Sequence, residues 1–183
     1  MSVFYTIGHS THSVADFVAL VTTVGARTVV DVRTMPRSRT NPQFNADMLA
    51  GALAGAGIGY RHIAALGGLR SRQREVPPAV NSFWQNASFH NYADYAMSER
   101  FAAGLAELRA LGAAAPCAVM CAEALWWRCH RRIIADYLLA AGETVEHIMA
   151  DGKLVPARLT PAARRAGARL TYPLAVDESP VSS

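Results

Sequence analysis

The feature that most limits what this chain can fold into is an alternation of short β-branched runs with longer amphipathic ones. Val3–Ile7, Thr28–Val32, Ile58–Ile63, Cys117–Cys121 and Thr144–Ile148 are expected as strands. Between them the apolar period lengthens to that of helices. One runs over Val14–Val24 behind an N-cap at Ser13, with Phe17, Leu20 and Val24 on one face, and stops at Gly25. A second, opened by Asn45 or Asp47, passes through Leu49 and Leu53. A third spans Tyr92–Leu111, with Tyr95, Phe101, Leu105 and Leu108 on one side. The fourth starts near Trp126-Trp127 and continues over Ile133–Ala141 to Gly142. Strand–helix–strand repetition calls for right-handed crossovers. The expected architecture is a single three-layer α/β domain, with a mainly parallel sheet of about five strands and helices on both faces. Residues 1–152 make up that domain. Residues 153–183 are expected as an arginine-rich, partly ordered C-terminal extension, with little to fold in Asp177–Ser183.

Composition supports a buried core, since the 183 residues are 51% apolar and only 17% charged. No apolar run approaches the roughly 20 residues of a membrane span. The start, MSVFYTIGHSTHS, has no basic region followed by an apolar core. A cytoplasmic protein with no membrane partner is expected. The three cysteines, Cys117, Cys121 and Cys129, fall within thirteen positions of one another. A disulfide-stapled secreted domain spreads an even number along the chain, so this odd cluster reads as thiol chemistry, a metal site or small buried hydrophobes. The net charge of +4 comes from arginine, because Lys153 is the only lysine. Guanidinium suits planar, bidentate anion recognition, and a small anionic ligand is the expected partner.

Ligands of parallel sheets bind beyond the carboxyl ends of the strands. The residues at those exits are Gly8-His9-Ser10, Arg33, the loop after Ile63, Cys121-Ala122-Glu123 and the turn near Met149. Met120–Arg132 is the richest segment. Cys121 is expected at a strand end, Glu123 in the turn, and Cys129 and His130 in the first turns of the next helix. The positive helix end, with Arg128, Arg131 and Arg132, favours thiolate over thiol. Three chemistries fit these residues. Nucleophilic catalysis would use Cys121 or Cys129 with His130 or His9 as base, and Glu123 as acid, base or orienter of His130. A redox pair would use both thiols. A metal would take Cys121, Cys129 and a histidine (His130, His9 or His62), without the paired knuckle spacing of structural zinc sites. Set against all three is plain packing, with Trp126 and Trp127 covering a core, Cys129 buried and Glu123 paired with an arginine.

Other positions add to the rim. The Gly8-His9-Ser10-Thr11 turn can offer N–H groups and a hydroxyl to an anion, or Ser10 or Ser13 can simply cap the helix. Asp31, within an apolar strand, needs a buried partner, for which Arg33 and Arg131 are the candidates. Arg33, Arg37 and Arg39 flank Pro36. The Gly67-Gly68 hinge precedes Arg70, Arg72 and Arg74, which suit nucleic-acid phosphates. Phe83, Trp84, Phe89 and Tyr92 nearby would stack on bases or cover a core.

Four segments in this order resemble the domain-of-unknown-function 488 (DUF488) family. They are Ile7-Gly8-His9-Ser10, Val30-Asp31-Val32-Arg33 with Pro36, Leu66-Gly67-Gly68, and Met120-Cys121-Ala122-Glu123 with Cys129-His130-Arg131. Tyr92-Ala93-Asp94-Tyr95 also fits, and the resemblance runs from about Thr6 to Ile148. It implies a compact α/β domain with its motifs gathered at one edge, and it carries no catalytic role. The matching positions are His9, Asp31, Arg33, Cys121, Glu123, Cys129, His130 and Arg131. The residues favour a thiol-centred enzyme, a transferase or hydrolase, in which Ser10, Asp31, Arg33, Arg131 and Tyr92 surround a small anionic substrate. The alternative is a nucleic-acid-associated module with a structural or metal-bound Cys/His site.

Overall fold

The computed structural model describes residues 2–175. All five expected strands are present: β1 (Val3–Gly8), β2 (Thr28–Asp31), β3 (Gly59–His62), β4 (Cys117–Cys121) and β5 (Thr144–Ile148). They pair in parallel, with β1 and β4 central. A sixth strand, β6 (Leu154–Pro156), adds antiparallel to β5, so the sheet order is β3-β2-β4-β1-β5-β6. Helices α1 (Val14–Thr23) and α2 (Ala46–Gly55) cover one face. Helices α3 (Ala87–Tyr95), α4 (Glu99–Ala114) and α5 (Arg131–Ala140) cover the other. The protein is a single α/β domain of three layers.

The pleat decides which side chains meet which layer. Along β4, Ala118 and Met120 join Phe17, Val21, Leu49 and Leu53 in the core under α1 and α2. Cys117, Val119 and Cys121 point to the α3–α5 side. Thr6 lies between Phe4 and Gly8 on β1, and Phe4 belongs to that same α3–α5 core. The period of two therefore turns Cys121 and Thr6 toward α5.

Two helices differ from expectation. Tyr92–Leu111 is not one helix, because Ser98 breaks it by accepting the Phe101 N–H at 3.2 Å and so caps α4. The segment at Trp126-Trp127 does not open α5 either. Trp126–Arg128 is a single 3-10 turn, Cys129 is extended (φ −127°, ψ 149°), and the helix begins at Arg131 with His130 at its cap position. Cys129 and His130 thus stand just before the helix rather than in its first turns.

The chain after Gly152 returns to the body. Beyond β6 it forms a two-stranded ribbon, β7 (Arg164–Ala166) and β8 (Arg169–Thr171), which buries Leu170 and Tyr172. The Tyr172 hydroxyl donates to Asp136 of α5 at 2.9 Å, and its N–H reaches Asn81 Oδ1 at 3.0 Å. Arg158 sits between β6 and this ribbon, whereas Arg164, Arg165 and Arg169 lie on its exposed side. All of Asp177–Ser183 and the residue before it, residues 176–183, lie outside the described residues. Among the described residues no helix is long and apolar enough to cross a membrane.

Candidate active site

β4 ends at Cys121 and the chain turns through Ala122 and Glu123. The short turn of Trp126–Arg128 then returns Cys129 beside the strand end. The two sulfurs stand 2.7 Å apart, both as free thiols. Cys129 Sγ has two further neighbours, His130 Nδ1 at 3.4 Å and the Arg131 backbone N–H at 3.4 Å, the latter from the first residue of α5. The opposite ring nitrogen of His130, Nε2, lies 2.8 Å from the Val32 carbonyl, so it must donate there. That bond leaves Nδ1 turned toward the sulfur. Burial by itself would raise the Cys129 thiol, but the Cys121 S–H, His130 and the Arg131 guanidinium outweigh it and hold Cys129 well below the ordinary thiol value. Cys121 moves the other way: burial raises it, and the charge on Cys129 raises it further. The opposite directions of the two shifts favour Cys129 as the thiolate of the pair and Cys121 as its proton donor.

Arg131 is the charge behind the pair. It is 1% exposed, and its guanidinium donates to the Glu123 carbonyl at 2.6 Å and the Thr6 hydroxyl at 3.1 Å. Its Nε has no hydrogen-bond partner among the described residues. Thr6 in turn meets His147 Nδ1 at 2.6 Å, and the His147 ring stacks on Trp126 at 4.3 Å. Burial first, and then the Arg131 charge, lower His147 to about 4, so the neutral ring shares its hydrogen bond with the Thr6 hydroxyl. Sequence reasoning missed Thr6 and His147, and it read Trp126 as core packing without its histidine partner. The only trace of Thr6 and His147 was a threonine and a histidine at directly paired positions of two core strands.

Close backbone approach holds the site together. A Cβ on Gly68 would fall 2.5 Å from His130 Nδ1, and one on Gly8 would strike the Glu123 carbonyl that Arg131 grips. These two glycines let the Leu66–Leu69 loop and the end of β1 close on the thiol segment.

Cys121 and Cys129 line a cavity of about 420 Å³ together with Arg33, Arg37 and Arg128 and the apolar Met35, Leu69, Phe89 and Tyr92. Residues 13–138 match the family model described as Domain of unknown function DUF488. The chain belongs to the DUF488 family. No curated protein and no solved structure matches it. The match begins after Ile7-Gly8-His9-Ser10 and ends before β5, a shorter span than the motifs suggest.

The remaining predicted positions of this DUF488 protein divide into rim and support. Asp31 is paired with Arg33 through two bonds, Nε–Oδ1 at 2.9 Å and Nη2–Oδ2 at 2.7 Å, and it also accepts the Tyr60 hydroxyl at 2.6 Å. Arg33 further holds the Phe44 carbonyl. Its Nη1 lies 3.4 Å from His9 Nε2, and Arg33 lines the cavity. His9 stacks on Phe44 at 4.3 Å, and burial lowers it. Its contacts are with Arg33 and the Ser10 carbonyl rather than with either sulfur, so His130 is the histidine at the thiolate.

Ser10 adopts φ 44°, and the N–H groups of His9 and Ser10 are already donated to the Cys121 and Ala122 carbonyls. The turn therefore offers neither N–H to an anion. Tyr92 donates to the Leu66 carbonyl at 2.8 Å and packs edge-on against His130 at 5.0 Å. The exposed Glu123 carboxylate accepts the Leu125 N–H at 3.1 Å and does not orient His130.

The proposed clamp and metal residues are differently used. Arg70 is tied to the Gly67 and Ala64 carbonyls and lies over Tyr95 at 3.9 Å, which leaves Arg72 and Arg74 exposed. Trp84 is buried against Phe83, Phe89 and Tyr172, so this aromatic group covers the core instead of forming a platform for bases. Cys121, Cys129 and His130 are the residues nearest to a ligand set, with His62 bonded to the Arg33 carbonyl. Among the described residues no three His, Cys, Asp or Glu side chains are grouped so as to hold a metal ion.

Proposed function

We propose that the protein is a thiol-centred enzyme, a transferase or hydrolase, in which Cys129 attacks a small anionic substrate and carries part of it covalently. The observation that supports this is the convergence on one sulfur of Cys121, His130 Nδ1 and the Arg131 N–H, in a cavity lined in part by arginine. A thiolate is the nucleophilic form of cysteine, and each of these neighbours favours it. Arg33 Nη1, Arg37 and Arg128 meet the anionic group. Met35, Leu69, Phe89 and Tyr92 cover an apolar or aromatic body. As the bond from sulfur to the substrate's acyl group forms, the bond to the leaving group breaks, and that group departs with the electron pair and is protonated from solvent. His130 Nδ1, no longer beside a thiolate, then takes the proton of the acceptor that cleaves the thioester, water in a hydrolase or a second nucleophile in a transferase, and Cys129 leaves as thiolate. Asp31 and His9 position Arg33.

Alkylation across pH tests the reading. Cys129 is expected to react with iodoacetamide well below pH 8.5, where ordinary thiols ionise. Iodoacetate, which carries the charge the rim would recognise, is expected to gain on iodoacetamide relative to their ratio on a free thiol. An ordinary pH profile at Cys129 would end the proposal, and an unaltered reagent ratio would remove the anionic substrate from it.

A further inference from the structure

A nucleophilic cysteine needs no second cysteine against it, and a purely hydrolytic site is endangered by one, because any sulfur-bonded adduct can be displaced by the neighbouring thiol. Here the second thiol is in direct contact with the first. Cys121 Sγ lies 2.7 Å from Cys129 Sγ, and both line the same cavity. Cys121 is also fixed: it terminates a central strand and its backbone carbonyl accepts the His9 N–H at 2.9 Å. Cys129 sits in an extended linker between a 3-10 turn and α5. The third cysteine, Cys117, lies two turns of the pleat back along β4, fully buried, and burial pushes it up to about 11. The other two therefore form a pair set apart from it.

We infer that Cys121 is a resolving cysteine, and that the site reduces disulfides of small anionic thiols by passing through a Cys121–Cys129 disulfide. This rests on the reading of Cys129 as a nucleophilic thiolate facing an anionic substrate, and it replaces acyl transfer or hydrolysis at that sulfur with thiol–disulfide exchange. In the first step the Cys129 thiolate attacks one sulfur of the substrate. A Cys129–S–S–R bond forms, the substrate S–S bond breaks, and the other half departs as R–S⁻ with the electron pair. Capping Cys129 removes the negative charge that held the proton on Cys121, and Arg131 is left facing Cys121 alone. In the second step Cys121 attacks the Cys129 sulfur. The intramolecular disulfide forms, and R–S⁻ leaves and takes up the Cys121 proton as R–SH. The substrate has gained two electrons and the protein has lost them. A dithiol reductant from outside, by two exchanges of the same kind, restores the thiols. That reset is favourable because forming the disulfide takes the thiolate away from the buried Arg131. Stabilising the reduced form in this way makes the oxidised form a ready electron acceptor.

The aryl disulfide dithiobis-nitrobenzoate, with a carboxylate on each aromatic ring, matches the cavity in charge and shape and reports every released thiolate by colour. With the probe in slight excess, wild-type protein is expected to release two equivalents at pH 6. The first should appear about tenfold faster than from a free small thiol. Peptide mapping should then find Cys121 joined to Cys129 and no aryl adduct. Cys121→Ser, or Cys121→Ala if the serine variant folds poorly, should release one equivalent and retain the aryl group on Cys129. A wild-type product that keeps the aryl group on Cys129, or on both cysteines, would overturn the resolving role while leaving the nucleophile in place. A first release no faster than that of a free thiol would overturn the nucleophile itself.

Discussion

Helix α5 carries one buried polar cluster at its first residue, Arg131, and another at mid-helix on Asp136, and the two are built differently. Toward the C-terminal tail, the side chains of Asp136, Asn81 and Tyr172 all have partners, and the donor beside them without a partner among the described residues is the indole N–H of Trp84, packed on the Tyr172 ring. Asp136 accepts the Thr160 N–H and the Tyr172 hydroxyl, both at 2.9 Å. Asn81 donates to Asp94 at 2.7 Å and accepts the Tyr172 N–H at 3.0 Å. At the helix start, Arg131 keeps an unpartnered Nε and faces two sulfurs, which are weak acceptors. A closed network has nothing left to offer a ligand and serves to hold chain segments together. The open one keeps its charge on reactive atoms at the wall of a cavity. The contrast separates burial that stabilises from burial that prepares chemistry.

The largest expected effect is at the closed cluster. Tyr172→Ala should cost about 3–5 kcal/mol in urea unfolding, as truncation of a buried aromatic does. Cys129 alkylation should be unchanged wherever the variant is folded. A parallel fall in alkylation would mean that the two clusters are one network.

Acid should next weaken the support of the open cluster. The unfolded chain protonates His147 near pH 6.5, whereas the folded one does so only near about 4. Its contribution is therefore complete above pH 6.5 and is lost as pH falls through about 4, a change of up to about 3 kcal/mol. His9 is lowered too and acts in the same direction. Asp94 and Asp136, raised by burial, oppose the trend at the acid end. Urea midpoints from pH 7 to pH 4 should consequently fall less in His147→Gln than in the wild type, and an identical slope would remove His147 from the account.

Gly68→Ala should cost less stability, about 1–3 kcal/mol, because the added carbon can displace the His130 ring. Its sharper effect is on chemistry: the pH profile of Cys129 alkylation should move toward that of an ordinary thiol. Full retention of the low-pH reactivity would show that His130 contributes little. The smallest effect belongs to the exposed Arg61–Glu107 pair at 2.8 Å, where Arg61→Ala should change stability by less than about 1 kcal/mol and leave thiol reactivity untouched.

Much of this arrangement was legible in the chain. Strands β1, β2 and β4 were visible because central parallel strands read as largely apolar runs, whereas the edge strand β3 was marked only by Ile58 and Ile63 on either side of it. Their exits then placed Cys121, Glu123 and Arg33 on one rim. Strand β6 escaped notice because it is three exposed residues long and carries no alternation. The break at Ser98 was hidden because the apolar period runs on from Tyr95 to Phe101 and neither Ala96 nor Met97 interrupts a helix. Composition alone left Cys121 and Cys129 equivalent. Distinguishing them needs the direction of a hydrogen bond between sulfurs and the position of Arg131, both properties of the packed state. The roles of Gly8 and Gly68 likewise depend on what stands opposite them, which no local pattern encodes.

The bond from His130 to Val32 joins residues 98 positions apart. Such a contact closes only after the non-local strand pairing of a slow-forming parallel sheet. The lowered pKa of Cys129 therefore depends on contacts that a chain lacking this strand pairing does not make. Rapid labelling of that one sulfur at mildly acid pH would thus serve as a native-state gauge, telling finished molecules from collapsed but incomplete ones.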